Sequence, residues 1–496
     1  MNSFIYRPLA VFSITFYISA CFFAQTDSTA ALAIASAILT AAAFTTMLLS
    51  FKTRVGKLPA LVLFALAFAA LFTTLAVRIP QSRCEAMAGQ REIHGSVEHV
   101  VYSDKATTAY IADVRINGSS YRVYLVSSEL LFRGDTFTAE AEIFPLSDKN
   151  GYYLKDCVYL EGNTSEITVT GADAPDLRDT FHNLNRRLSS VYAVKLGRDK
   201  GGFASSVILG DRSNFPFELY SDLEAMGVTH LIALSGLHLS VICSLVYLLT
   251  SSFRKKIRIL YAVATAVFYI LLTDFSSSIV RAAIMLFICS ALTLTHRPYD
   301  GATSLGLTAI TVTLISPGAV FDIGFQLSLA AVAGVFSGLA LIKGKWYVID
   351  TPAKAFFRKL ATPLAVGIGA SIFVLPVLAF HRMTMTFAGA IITIPLAALL
   401  TVTMWSLIPT LFLPFDFLSD TSAFLISLFE DAAGMISDIG DFRLLTDHHT
   451  ACGIVCAFAA FFIVIATTCD RRRYAPVFLS LSLALLLVFC ALCLPL

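Results

Sequence analysis

Charge is what this 496-residue chain has least of: Asp, Glu, Lys and Arg together make up 14% of it, against about a quarter in an ordinary soluble domain. That deficit, with apolar runs too long for a core, excludes a disordered chain, a secreted disulfide miniprotein and an ordinary cytosolic enzyme. Bulk positive charge is also lacking. The formal net charge is +2, so no global field draws nucleic acid. There is no GxxxxGK(S/T) loop, since the nearest stretch, Gly338 to Lys345, has the wrong spacing and is followed by Trp346. The nine histidines form neither HExxH nor HxHxDH, and Asp447-His448-His449 is isolated enough to read as a solvated loop. ATP hydrolysis and metal-assisted hydrolysis are therefore not expected, and neither is a cofactor, a metal or an enzymatic role.

What is present is apolar sequence, 57% of the residues, arranged in runs of the roughly 20 residues that a membrane crossing needs. Three such runs open the chain, at 9–24, 30–51 and 58–77. Ile18-Ser19-Ala20-Cys21 is similar to a lipoprotein cleavage site, but the spans that follow favour a retained first helix. Lys52, Arg54 and Lys57 place the second connection in the cytoplasm. The N-terminus, with Arg7, is then cytoplasmic as well, and the third run leads outward. Residues 1–82 read as N-terminal transmembrane segments.

Between 83 and 171 the texture changes to short β-branched and aromatic runs, with strands expected at 92–102, 107–116, 120–126, 135–144 and 152–160. Asn117-Gly118 marks a hairpin. Five short strands in this length suggest a small closed barrel of OB-like type, outside the cytoplasmic membrane by the topology above. Cys84 and Cys157 stand near its two ends. In an oxidising compartment a bridge between them would add about 2–4 kcal/mol. Tyr102, Tyr110, Tyr121, Tyr124, Tyr152 and Tyr153 could stack bases. Yet twelve acidic residues face seven basic ones between 89 and 166, which argues against DNA binding by the barrel.

Residues 172–200 read as an amphipathic helix lying at the membrane interface. Leu177, Phe181, Leu184, Leu188 and Val191 recur at helical spacing, while Arg178, Arg186, Arg187, Lys195 and Arg198 occupy other faces. A soluble helix packed on the barrel is the alternative. From 201 to 496 apolar runs return, separated by connections alternately rich and poor in Lys and Arg, which gives about ten further crossings. The least certain of these is 418–439, interrupted by Glu430, Asp431 and Asp438. The fold class is thus a polytopic α-helical membrane protein with an inserted extracytoplasmic all-β OB-like domain.

Polar groups inside apolar runs cost free energy unless they find partners or water. The densest cluster is Gly227-Val-Thr-His-Leu-Ile-Ala-Leu-Ser-Gly-Leu-His-Leu-Ser240. Ser235 and His238 are a helical turn apart and could be a nucleophile and its base. No signal, however, locates an orienting acid or oxyanion donors. Ser235-Gly236 could instead be a small-residue helix contact, with His230 and His238 bonding neighbouring helices. The third reading is a broken helix lining a hydrated path. Arg281 opens another apolar run after three serines, with Asp274 as a plausible partner and snorkelling to the surface as the bland alternative. Asp322 precedes Gly324-Phe325-Gln326-Leu327-Ser328, and Pro317, Gly318 and Gly324 there would suit a broken or re-entrant helix.

The segment GVTHLIALSGLHLS resembles the signature of the ComEC family of bacterial competence proteins. Its companions agree: Ile208-Leu209-Gly210-Asp211-Arg212 upstream, Ser278-Ile-Val-Arg281-Ala282 after it, and Gly324-Phe-Gln-Leu-Ser328 beyond. The resemblance implies a cytoplasmic-membrane channel passing one strand of transforming DNA inward, with His230, Ser235, Gly236, His238, Asp274, Arg281, Asp322 and Gln326 as candidates for the path. It implies single-stranded DNA, membrane lipids, DNA-delivery proteins outside, and a cytoplasmic ATPase or strand-binding protein as partners. Many members carry a C-terminal metallo-β-lactamase-like domain. Its histidine motif is not found here, so either a separate nuclease or a non-transforming role is expected. The rival readings are a small-solute or ion-coupled transporter, an intramembrane hydrolase built on Ser235 and His238, and a structural scaffold.

Overall fold

The computed structural model describes residues 8–25, 28–52, 58–103, 108–116, 119–129, 131–146, 153–164, 167–172, 176–343, 352–386, 388–440, 449–468 and 479–486. Arg7, Arg54, Lys57, the Asn117-Gly118 turn, Tyr152, Lys345, Asp447-His448, Arg471, Arg472, Arg473 and most of the 477–496 run lie outside the described residues. The described residues divide into two compact units, one within 8–177 and 309–322, the other within 178–308 and 323–486.

The first unit begins with α1 (Pro8–Phe23), α2 (Thr29–Lys52) and α3 (Leu58–Thr73). The Thr73 and Thr74 hydroxyls take the Ala69 and Ala70 carbonyls at 2.8 and 2.7 Å. Such back-bonding competes with the helical ladder, and a π-helical turn follows at Thr74–Arg78 before α4 (Ile79–Glu85). The apolar helix therefore continues through Leu61–Cys84, past the boundary expected at 82. Arg78 is buried and donates from Nη2 to the Ala24 carbonyl at the end of α1, at 2.7 Å.

Six strands follow: β1 (Gly89–Ser103), β2 (Thr108–Ile116), β3 (Ser119–Ser127), β4 (Asp135–Pro145), β5 (Leu160–Thr164) and β6 (Ile167–Ala172). Their pairings close a ring, β1-β2-β3-β5-β4 and back to β1, with β6 added alongside β4. Only the β3–β5 pairing is parallel among the described ladders. Alternate residues such as Ile93, Tyr110, Val123, Leu125, Phe137 and Ile143 fill the interior, as a two-residue period requires. The Tyr110 hydroxyl is a polar group inside, and it donates to the Glu129 carbonyl at 2.5 Å while accepting from Leu131 N–H at 2.8 Å.

One expected strand, 152–160, is wrong. Leu154–Asp156 forms a 3-10 turn and Cys157 sits at φ 58, so pairing starts only at Leu160. The aromatic and apolar residues that mimicked strand alternation there are turn residues, of which Leu154 and Cys157 pack against the barrel core. A sixth strand, β6, was not anticipated.

The second unit contains α5 (Leu177–Leu196), α6 (Arg198–Leu209), α7 (Phe217–Ala225), α8 (Gly236–Leu249), α9 (Lys255–Leu272) and α10 (Ser277–Leu294). After α11 (Gly301–Ile315), which ends in the first unit, come α12 (Ile323–Lys343), α13 (Pro352–Phe380), α14 (Gly389–Phe412), α15 (Asp416–Ser437) and α16 (His449–Thr468). Among the described residues six helices are long and apolar enough to cross a membrane, and four shorter apolar helices accompany them. This is a polytopic helical membrane protein carrying a small β-barrel. Helix α9 starts with Lys255, Lys256 and Arg258 and α15 holds Glu430 and Asp431, which is why neither is apolar enough to count among the six.

Helix α5 is tied along the helical unit. Phe181, Leu184, Leu188 and Leu196 pack against its core, which includes Phe203, Leu223, Ile279, Leu400 and Phe429. Arg178 Nε meets Asp274 Oδ1 at 2.5 Å, and Asn185 Nδ2 donates to the Leu209 and Leu272 carbonyls at 2.9 and 2.8 Å. Tyr192 donates to the Leu407 carbonyl at 3.0 Å, and Lys195 Nζ to the Thr410 and Leu413 carbonyls at 2.6 and 2.8 Å. Of the five basic residues singled out, Arg178 and Lys195 thus serve docking, while Arg186, Arg187 and Arg198 are exposed.

Candidate functional site

The polar segment from Gly227 to Ser240 is a broken helix. Helix α7 ends at Ala225, a single 3-10 turn spans Thr229–Leu231, and α8 starts at Gly236. Two glycines make the breaks possible. Gly227 has φ +69, and a side chain there would overlap that of Thr386. Gly210, from the Leu-Gly-Asp motif, closes α6 at φ +79, and a Cβ would press on Leu234. Glycine alone takes such angles without strain. The upstream motif and the signature segment are therefore packed against each other. Asp211 beside it accepts from Ser189 Oγ at 2.9 Å and from Ser213 N–H and hydroxyl. Burial works to raise the Asp211 carboxyl, but these hydrogen bonds, with His182 nearby, hold it below its ordinary range.

Ser235 and His238 form a helix cap. Ser235 is in extended conformation at the N-cap of α8, and its Oγ accepts from Leu237 N–H at 3.3 Å and from the His238 N–H. His238 returns the contact, its Nδ1 accepting the Ser235 N–H at 3.2 Å and lying 3.0 Å from Ser235 Oγ. This is a capping box in which His fills the place usual for Glu or Gln. Because Nδ1 accepts, Nε2 carries the ring proton. His238 is fully buried and Nε2 has no hydrogen-bond partner. Among the described residues no carboxylate orients the ring, as a nucleophile–base pair would want.

His230 is exposed on the 3-10 turn, with Nε2 3.3 Å from Thr393 Oγ1 on α14. Arg281 is 4% exposed, so it does not snorkel. The expectation that Asp274 partners it is also wrong. Asp274 pairs with Arg178, while Arg281 Nη1 donates to the Ser328 carbonyl of α12 at 3.0 Å. The cause is the turn between α9 and α10, where Asp274 and Phe275 both have positive φ and present the carboxylate to α5. Gln326 Oε1 accepts from His381 Nε2 at 3.0 Å. His381 lies just after α13, and burial lowers its tendency to protonate. Asp322 belongs to the first unit, within electrostatic range of Tyr17.

The structure thus gathers Ser235, Gly236, His238 and Arg281 around the start of α8, with Gly236 and the Arg281 guanidinium as direct neighbours. It ties His230 to α14, engages Asp274 elsewhere and sets Asp322 in the other unit. Sequence reasoning missed Thr386, Thr393, His381 and the Ser328 carbonyl, since single polar residues in apolar runs give no periodic signal. No group of three or more His, Cys, Asp or Glu side chains suited to a metal occurs among the described residues. In the barrel Cys84 and Cys157 both pack on the core beside Tyr159, and both stand as thiols. Burial raises the Cys157 thiol above its ordinary range.

A family model described as Competence protein matches residues 207–473, more than half of the chain, and the match includes α8, α10 and the polar segment before them. ComE operon protein 3 of Bacillus subtilis (strain 168) is 28% identical over 187 residues, covering 37% of this chain and 24% of that protein. Uncharacterized protein YcaI of Escherichia coli (strain K12) is 24% identical over 207 residues, 39% of this chain and 27% of its own length. The matched stretch spans about a quarter of each of these relatives. No solved structure matches.

Proposed function

We propose, from the premise that this chain belongs to the Competence protein family, that it is a channel carrying single-stranded DNA across the cytoplasmic membrane of a bacterium during transformation. The observation that carries the reading is the start of α8, where His238 and Arg281 are buried among apolar helices with donor nitrogens that bond nothing. A strand of DNA cannot cross hydrocarbon, so its phosphates need a path lined with such donors. The path residues are His230, Ser235, Gly236, His238, Arg281 and Gln326, and the chain is not an enzyme. The capping geometry of Ser235 and His238 supports a structural and donor role for both over a nucleophilic one.

The basic connections support a cytoplasmic N-terminus with the barrel outside. The ring order β1-β2-β3-β5-β4 with a parallel β3–β5 pairing supports the OB-like reading. In that oxidising compartment Cys84 and Cys157, thiols that both pack at the barrel core, are the pair that would close a disulfide. With no nucleotide-binding motif in the sequence, a cytoplasmic ATPase or strand-binding protein supplies the pull, delivery proteins supply DNA outside, and a separate nuclease removes the other strand. The test is removal of the gene from a transformable host supplied with labelled duplex DNA. The label is expected to stay outside the cytoplasm, and normal entry would refute the reading.

A further inference from the structure

Around the first turn of α8 every unsatisfied buried group is a donor. A guanidinium offers five N–H donors, but Arg281 makes one hydrogen bond, from Nη1 to the Ser328 carbonyl. Its Nε is buried and bonds nothing. Nη2 points to α8, 3.8 Å from where a Cβ on Gly236 would stand. With Nη1 occupied, the Nε–Nη2 edge is left, and that edge is the one that meets two oxygens of a carboxylate or phosphate side by side. His238 adds a second buried donor, its Nε2–H, and the amino end of α8 adds partial positive charge. Arg212 is exposed and lies within electrostatic range of His238. Among the described residues no carboxylate pairs with Arg281. A buried cation without a counter-charge is costly, so what the place fits is an anion with at least two oxygens.

We propose that Arg281, His238 and the N-terminal turn of α8 form a station that holds one phosphodiester of the passing strand, with Arg212 as the charge that leads to it. The station rests on the channel reading and gives it a stepping point. One arginine beside a neutral imidazole holds a phosphate while still letting it leave, as conduction demands. Gly236 fits this scheme, because a methyl there would meet Ala282 Cβ at 3.5 Å, an ordinary contact, while taking space beside Nη2.

The full chain in phosphatidylcholine nanodiscs is titrated with a fluorescent oligothymidylate at several salt concentrations. Arg281→Gln is expected to weaken binding at least tenfold and to lower the slope of log K against log salt by about 0.7, one phosphate contact on a single strand. Arg281→Lys, which keeps charge but loses the fork, is expected to lose about threefold. Gly236→Ala, which has room to fold, is expected to weaken binding about fivefold with an unchanged melting temperature. Wild-type affinity and slope in both Arg281→Gln and Gly236→Ala overturn the station, and if gene removal still abolishes uptake the channel stands without it. Normal uptake in the deleted strain overturns both. Competition by phosphatidylglycerol headgroups that vanishes in Arg281→Gln makes the ligand a lipid phosphodiester and overturns the assignment to DNA.

Discussion

The barrel core and the start of α8 leave different kinds of buried polar group unpaired. In the barrel core the Tyr110 hydroxyl both donates and accepts, and the hydroxyl left without a hydrogen bond, on Tyr159, can do either. At the start of α8 two buried donors, on His238 and Arg281, are left over. Buried polar groups in folded proteins are almost always paired. A leftover hydroxyl, able to donate or accept, asks for no particular partner, whereas leftover donors of a single kind suit something that arrives with acceptors.

The sharpest way to break that contrast is to spoil the barrel alone. Tyr110→Ala should cost about 3–5 kcal/mol, the usual penalty for emptying an aromatic site, and Tyr110→Phe about 1–3 kcal/mol by stranding Leu131 N–H. Limited proteolysis should cut within the barrel first. If the helical unit melted together with the weakened barrel in these variants, the two units would not be separable.

Next in size is the break before α8. Gly227→Ala meets both a positive φ and the Thr386 side chain, for an expected loss of about 1–3 kcal/mol. Adding Thr386→Ser removes the offending methyl while keeping the hydroxyl that accepts from Gly389 N–H, and should restore part of the loss. Equal stability of the single and double variants in thermal melts would show that the contact is not what holds the segment.

Ser235→Ala should cost about 1 kcal/mol through the lost cap and lower uptake only several-fold. A nucleophile would behave differently, since removing one costs about four to six orders of magnitude in rate. Uptake assays with Ser235→Ala and His238→Ala therefore separate a cap from a catalytic pair.

The smallest effect concerns Asp211. Its carboxyl is held below the ordinary value by Ser213, Ser189 and His182 despite burial. A depressed folded pKa stabilises the protein above the unfolded value, near 4, and that contribution is lost as pH falls through the folded one. Asp211→Asn should lower the melting temperature slightly at pH 7, and the gap to wild type should close on acidification below pH 4. A gap that widened there would reverse the sign of the argument.

Legibility differed between the units for a physical reason. Strands β1 to β4 were readable because the barrel has one buried and one exposed face, which writes a two-residue alternation into the chain. The 152–160 error arose where turn residues that pack on the barrel core imitate that alternation. In the helical unit apolar residues lie on all sides, so the runs announce helices but carry no face. The pairing of Asp274 with Arg178 in place of Arg281 depends on two residues with positive φ, which no periodicity reveals.

By itself the sequence determined that this is a multi-pass membrane protein with a β-rich insert and polar residues sunk in its apolar runs, because hydrophobicity and strand period are local properties. The tertiary structure alone decided which of those residues meet. Ser235 and His238 close a cap, Asp274 goes to α5, and the Arg281 fork turns its unused edge to the start of α8, because partner choice depends on how helices far apart in the chain pack together.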